Sequence, residues 1–382
     1  MKGLTRLGVV VATLVLFLAS TVLGAGQLSA ASQALDANPV TIHKGLTGMT
    51  WDGKEFIASY GISNVPLVNV SLDGQKVTPF ATSFVGDAEC YAAVSQGKAG
   101  FPEGYLYVNS DKSIYKIGPA GSNVQVFSSP PGASRISYVA FDTVGTWGYL
   151  LLALDDNGLL WSISSSGEAK VLGNFSGFAT PQTAQLGGLK PEGIAVAPQA
   201  FGAYGGYLFI TLEGAGRVLA IPPSDTSKVT TVALLPGEQP ERIVVIPDAA
   251  SDLYLAEFDT GNLLRVPAAN FSSYAGSMLV ITEGETEPLG TFNVLQATGD
   301  NITSTRIGAV AGHPHFEGVS FVPTSASPPV VTTTTTLHTA PSESTTAAGV
   351  SNGVLLGGAA LLVAVVVVAA FFFVRRRSSL PR

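Results

Sequence analysis

The chain has 382 residues, a formal net charge of −7 and only 12% charged residues, with 43 glycines and 23 prolines. That balance excludes a disordered polyelectrolyte and a basic nucleic-acid binder, and suits a turn-rich all-β body. The single cysteine, Cys90, excludes an internal disulfide, and the length allows one large domain with a sizeable core.

Residues 1–31 read as a signal peptide. Lys2 and Arg6 give a basic start, residues 7–23 an apolar core, and cleavage is expected after Gly24 or Ala31. An uncleaved anchor is the alternative, because the apolar run is long. Either way the residues that follow are exported.

The body, residues 39–322, repeats one phrase. A short apolar strand is followed by a Gly- or Asp-bounded turn, a second apolar strand and then a further strand. The copies in chain order are 54–58, 66–70 and 76–80; then 104–108, 113–117 and 123–127; then 148–152, 159–163 and 169–173. Next come 206–212, 217–221 and 228–234, and then 252–255, 262–266 and 277–281. Copies recur every 40 to 60 residues or so, the signature of a β-propeller with four-stranded blades. Pieces at 39–43, 291–296, 305–310 and 316–322 are expected to form a sixth blade, closed by the N-terminal strand. The expected fold is therefore all-β, a propeller of six four-stranded blades, with a C-terminal transmembrane helix.

Residues 323–352 form a Thr/Ser/Pro-rich stalk, which has too few large apolar residues to bury a core. Residues 353–374 carry no charge and are long enough to span a bilayer. Arg375, Arg376 and Arg377 open a tail, 375–382, that the positive-inside rule places in the cytoplasm. The expected location is the cell membrane, single-pass, with the body outside. Asn69, Asn174, Asn270 and Asn301 each begin an acceptor triplet for N-glycosylation, so a glycoprotein is expected.

Setting aside Lys2, Arg6, Arg375, Arg376, Arg377 and Arg382 leaves 14 basic against 27 acidic residues, or −13, for the exported part. Such a surface repels nucleic acid and favours cations, or neutral and cationic ligands. A blade's entry loop and its second-to-third turn open on the same face. Acids recur there. First strands begin Ala88-Glu89-Cys90, Pro191-Glu192-Gly193, Pro240-Glu241-Arg242 and Phe316-Glu317-Gly318, while Thr47 and Ser134 hold the place in two other copies. The turns carry Asp111, Asp155, Asp156, Glu213 and Asp259, which read as ordinary turn formers.

Glutamate is depleted from strands, so its recurrence at one phase has another cause. Carboxylates crowded at one channel mouth repel one another unless a cation, an arginine or shared protons compensate. Glu89, Glu192, Glu241 and Glu317 are therefore candidate ligands for Ca²⁺ or another divalent cation. Each could instead bond backbone amides of the neighbouring blade. His313 and His315 lie in the loop before Glu317, and His315 is a candidate fifth ligand. Cys90, in an apolar strand, reads as a buried structural thiol. The chain has no nucleophile elbow, phosphate loop or zinc-spacing motif.

The phrases PEGIAVAP, GYLFIT and GRVLAI, with PERIVVIP, DLYLAE and GNLLRV, resemble the six-bladed propellers of the NHL-repeat and gluconolactonase (strictosidine-synthase-like) group. The resemblance is of repeat type, and many functions share such repeats. In gluconolactonase-like members it implies a divalent metal held by glutamate, asparagine and aspartate around the channel. Only the glutamates have counterparts here. The leading expectation is a membrane-tethered propeller that binds a small-molecule or protein ligand at an acidic channel face. The alternative is a metal-dependent, lactonase- or esterase-like hydrolase.

Overall fold

The computed structural model describes residues 38–42, 45–61, 64–179, 183, 188–284, 289–312 and 314–326. The signal peptide, the span, the tail, nearly all of the stalk and His313 lie outside the described residues. Among the described residues no helix is long and apolar enough to cross a membrane.

Six antiparallel sheets of four strands form a β-propeller. Blade one is β2 (Leu46–Trp51), β3 (Phe56–Tyr60), β4 (Leu67–Val70) and β5 (Val77–Phe80). Blade two is β6 (Ala92–Val94), β7 (Leu106–Ser110), β8 (Ser113–Gly118) and β9 (Ser122–Ser128). Blade three is β10 (Ile136–Phe141), β11 (Leu151–Asp155), β12 (Leu159–Ile163) and β13 (Ala169–Asn174). Blade four is β14 (Pro191–Val196), β15 (Leu208–Leu212), β16 (Arg217–Ile221) and β17 (Thr230–Leu234).

The last two blades interleave. β18 (Gln239–Val245) is followed in the chain by the hairpin β19 (Ser251–Glu257) and β20 (Asn262–Val266). That hairpin does not pair with β18. Instead β18 pairs with β21 (Met278–Glu283), which continues through β22 (Leu289–Thr298) to β23 (Asn301–Ala311) as blade five. Blade six runs from β24 (Phe316–Pro323) through β19 and β20 to β1 (Asn38–Ile42). The sequence reading expects 252–266 to complete the blade begun at Pro240 and assigns 291–296 and 305–310 to the sixth. Both assignments are corrected: the hairpin belongs to blade six, and the two later strands belong to blade five. The expected N-terminal closing strand is found, as β1 against β20.

Alternation along each strand explains why the ring holds. In β7, Leu106 and Val108 pack towards blade one, while Tyr107 packs towards blade three. In β19, Leu253 and Leu255 face blade five, and Tyr254 and Ala256 face blade one. Side chains two apart share a sheet face, so every blade feeds two apolar layers. The core is therefore a set of clusters between neighbouring blades, the last joining blade six to blade one through Tyr254, Val322 and Phe56. Inner strands approach so closely that a Cβ on Gly193 would lie 2.8 Å from the Ile243 backbone nitrogen.

Candidate functional site

A local irregularity in the inner strands builds the site. Each of β14, β18 and β24 breaks register near its start, between Pro191 and Gly193, between Pro240 and Arg242, and opposite Ala256 and Glu257. The extra residues at these bulges are Glu192, Glu241 and Glu317. A bulge leaves one residue outside the ladder and re-aims its side chain. Three of the glutamates expected at one phase of the repeat therefore turn into the channel together.

In the other blades that phase is filled differently. β10 bulges at Ser137, and β2 shifts register across Gly48 and Met49. In blade two Cys90 holds the place, two residues before β6. The sequence alignment of Ser134 with the glutamates is thus corrected, whereas Thr47 does hold their place, four residues before Trp51 as Glu192 is four before Val196. Thr47 hydrogen-bonds Ser59 at 2.6 Å, and the Ser134 hydroxyl donates to Asp155 at 2.8 Å. Glu89, one residue before Cys90, falls out of phase. It lies at the rim, 3.0 Å from Arg135, which reaches Asp156 at 3.0 Å on its other side.

Arg242 compensates the bulge glutamates. Its side chain is only 2% exposed and forms ion pairs with Glu192 at 3.5 Å, with Glu317 at 3.2 Å and with Glu241. It also donates to the carbonyls of Glu192 at 2.6 Å and Glu317 at 3.1 Å. The guanidinium carbon lies 4.1 Å from the Tyr91 ring centre and 5.2 Å from that of Tyr138. Arg242 thus joins blades two to six and plugs the channel. The planar fork and weak hydration of arginine suit this better than an ammonium would.

Burial sets the electrostatics. It pushes the carboxyls of Glu192 and Glu241 well above the usual range, against the pull of Arg242, and the other glutamates add to the rise. Burial acts the same way on Glu317. There the hydrogen bond from His315, with Arg242 and the Tyr91 hydroxyl, outweighs it and brings the group down to about 2. Tyr91 donates to Glu317 Oε2 at 2.7 Å.

Above this layer lies a cavity of about 590 Å³. The sequence candidates Glu89, Glu192, Glu241, Glu317 and His315 all line it, and so do Glu213 and Glu283. Glu213 reads in the sequence as a turn former, yet it is buried and pairs with Lys190 at 3.1 Å and the Gln239 amide at 2.7 Å. Burial raises its carboxyl as well, with Lys190 opposing. Asp155 does behave as a turn former, accepting from the Asn157 and Leu159 amides.

His315 Nε2 lies 2.9 Å from Glu317 Oε1 and 3.3 Å from Glu283 Oε2. Glu283, His315 and Glu317 each offer a ligand atom within 4.8 Å of the others, as do Glu213, Glu241 and Glu283. These two groups are where a cation could be held, and Glu283 belongs to both. Sequence reasoning missed Arg242, Tyr91, Glu213, Gln239 and Glu283. The one available signal was a charged pair, Glu241-Arg242, inside an apolar strand. Cys90 is buried as expected, its thiol pushed up to about 12, chiefly by burial.

No family model and no curated protein matches the chain. Among solved structures it is similar to a chain of a nidogen/laminin complex at 13% identity and a TM-score of 0.48, covering 73% of this chain and 85% of that one. A chain of a mitotic checkpoint complex is 8% identical, with 69% and 64% covered and a TM-score of 0.40. A dihydro-heme d1 dehydrogenase in complex with DHE is 14% identical, with 72% and 48% covered and a TM-score of 0.39. Similarity this distant says nothing about ligand or activity. The propeller rests on its own strand pairing.

Proposed function

We propose that this chain is a membrane-tethered, extracytoplasmic propeller of the NHL or gluconolactonase type that binds a positively charged ligand or partner at its acidic channel mouth. One observation carries the reading. Seven carboxylates line a cavity of about 590 Å³, against the fixed cations Arg135 and Lys190 at its wall and Arg242 beneath. The volume is in the range of small-molecule pockets, and the residual charge favours a cation there. The apolar run at 353–374 with its basic flank supports tethering, and the exposed Asn174 and Asn301 suit an exported glycoprotein. Protease on intact cells should release the body by cutting within 323–352; release of the whole chain by salt washing would contradict tethering.

The binding test is calorimetric titration of the purified full-length protein with a polyamine, spermine, in chelator. Binding should weaken with added salt and with Glu213→Gln plus Glu283→Gln. Affinity indifferent to both would overturn the reading. A metal-dependent lactonase- or esterase-like hydrolase is the second reading, favoured by an imidazole among carboxylates beside a ligand-sized space. Asp156 and Asn157 reach that space from a turn, not from a first strand. Absence of lactone or ester hydrolysis with Ca²⁺, Mn²⁺ or Zn²⁺ present would remove it.

A further inference from the structure

The geometry points to a divalent-cation centre at one edge of this mouth, held by Glu283, His315 and Glu317 and selective for Mn²⁺- or Zn²⁺-like ions over Ca²⁺. It deepens the cation-binding reading: of the candidates expected from the sequence it keeps Glu317 and His315, adds Glu283 and drops Glu89, Glu192 and Glu241. Glu89 and Glu192 are engaged by Arg135 and Arg242; Glu317 meets Arg242 through Oε2, while its Oε1 faces His315.

The argument starts from one nitrogen. His315 Nε2 faces two carboxylate oxygens at once, Glu317 Oε1 at 2.9 Å and Glu283 Oε2 at 3.3 Å. A ring nitrogen carries at most one proton and cannot aim it well at both. A metal ion satisfies all three atoms together. Ligand atoms about 2.1 Å from an ion stand about 3.0–3.4 Å apart at tetrahedral or octahedral angles, close to the two spacings from Nε2.

The surroundings hold each ligand in that pose. Tyr91 and Arg242 take Glu317 Oε2 at 2.7 and 3.2 Å, which turns Oε1 towards His315. The Gln239 amide takes Glu283 Oε1 at 3.2 Å, which turns Oε2 the same way. Behind the imidazole, Asp259 lies 3.7 Å from Nδ1, and Phe258 packs on the ring at 4.9 Å between centres. Metal-ligating histidines are commonly backed by a carboxylate, and ligating carboxylates are themselves hydrogen-bonded. An imidazole donor suits Zn²⁺ and the carboxylates suit Mn²⁺, whereas Ca²⁺ prefers a shell of oxygens only.

The experiment uses the metals alone. Full-length protein, stripped with chelator and dialysed against Mn²⁺, Zn²⁺ or Ca²⁺ without any amine, is assayed for bound metal. One equivalent of Mn²⁺ or Zn²⁺ is expected, held more tightly than Ca²⁺. His315→Ala should weaken it by more than about 100-fold, beyond the 10- to 100-fold typical of an outer-shell partner. Asp300→Asn, on the remote tip between β22 and β23, should change nothing. Because His315→Ala could misfold, Cu²⁺-loaded wild-type protein is also examined by electron paramagnetic resonance for imidazole-nitrogen coupling. No stoichiometric metal, Ca²⁺ preferred over both ions, or no nitrogen coupling would each overturn the inference. The spermine titration is run in chelator, so it can fail while this centre stands, or the reverse.

Discussion

Arg242 touches residues of five blades, and its loss would leave Glu192, Glu241 and Glu317 facing one another in a buried channel. Removing one partner of a buried ion pair typically costs about 3–5 kcal/mol, because the other charge stays behind. Arg242→Met should lower stability by that order in chemical denaturation. Arg242→Lys should also lower it, by less, since charge remains while the fork and the stacking on Tyr91 are lost. Adding Glu192→Gln and Glu241→Gln to Arg242→Met should recover part of the loss. In the wild-type background the same two changes should cost far less than Arg242→Met, because burial already favours the uncharged form of both groups and Gln keeps their shape. A wild-type midpoint for Arg242→Met would show that the plug carries no stability.

At the level of elements, β24 and β1 both belong to blade six but sit at opposite edges of it. β24 is the inner strand; it pairs along β19 and packs beside β2 to close the ring. β1 is the outer strand and, among the described residues, pairs with β20 alone. Deleting Phe316–Pro323 opens the ring and bares the β19 edge, so no cooperative melt should remain. Deleting residues up to 44 bares only the outer edge of β20, so the melt should stay cooperative at a lower midpoint. A soluble, cooperatively melting protein without β24 would show that closure does not depend on it. The interleaving sharpens the expectation. The chain crosses to blade six and returns before blade five is finished, so damage to either blade reaches the other.

Across the whole molecule, the channel glutamates give opposing pH dependences. Glu317 is depressed from an ordinary 4.5 to about 2, so its contribution is present above 4.5 and is lost as pH falls through about 2. Glu192, Glu213 and Glu241 are raised above 4.5. For them the folded state keeps a proton that the unfolded chain has released, so stability is full below 4.5 and falls as pH rises through the folded values. The melting midpoint of the full-length protein should therefore peak in mildly acidic solution. Glu317→Gln should flatten the acid limb, and Glu192→Gln or Glu241→Gln the limb towards neutrality. Slopes unchanged in all three variants would contradict this assignment of charge states.

Much of the architecture could be read from local pattern. Alternation in stretches such as Leu208–Leu212 and Leu253–Ala256 depends only on the two-residue period of a strand, and its recurrence revealed the blades. The recurring glutamates at 192, 241 and 317 marked the channel mouth, because a charged residue at one phase of an apolar repeat needs a common cause. Which neighbour a hairpin pairs with is a non-local choice. β19 and β20 carry a pattern that fits either β18 or β24, and only the packed ring shows that β24 takes them. The phase is equally silent where no glutamate fills it, which is why Cys90 and Ser137, not Glu89 and Ser134, hold the equivalent places. The meeting of Arg242, Glu213, Glu283 and His315 was decided by tertiary structure alone, because their partners come from different blades and no sequence spacing encodes that distance.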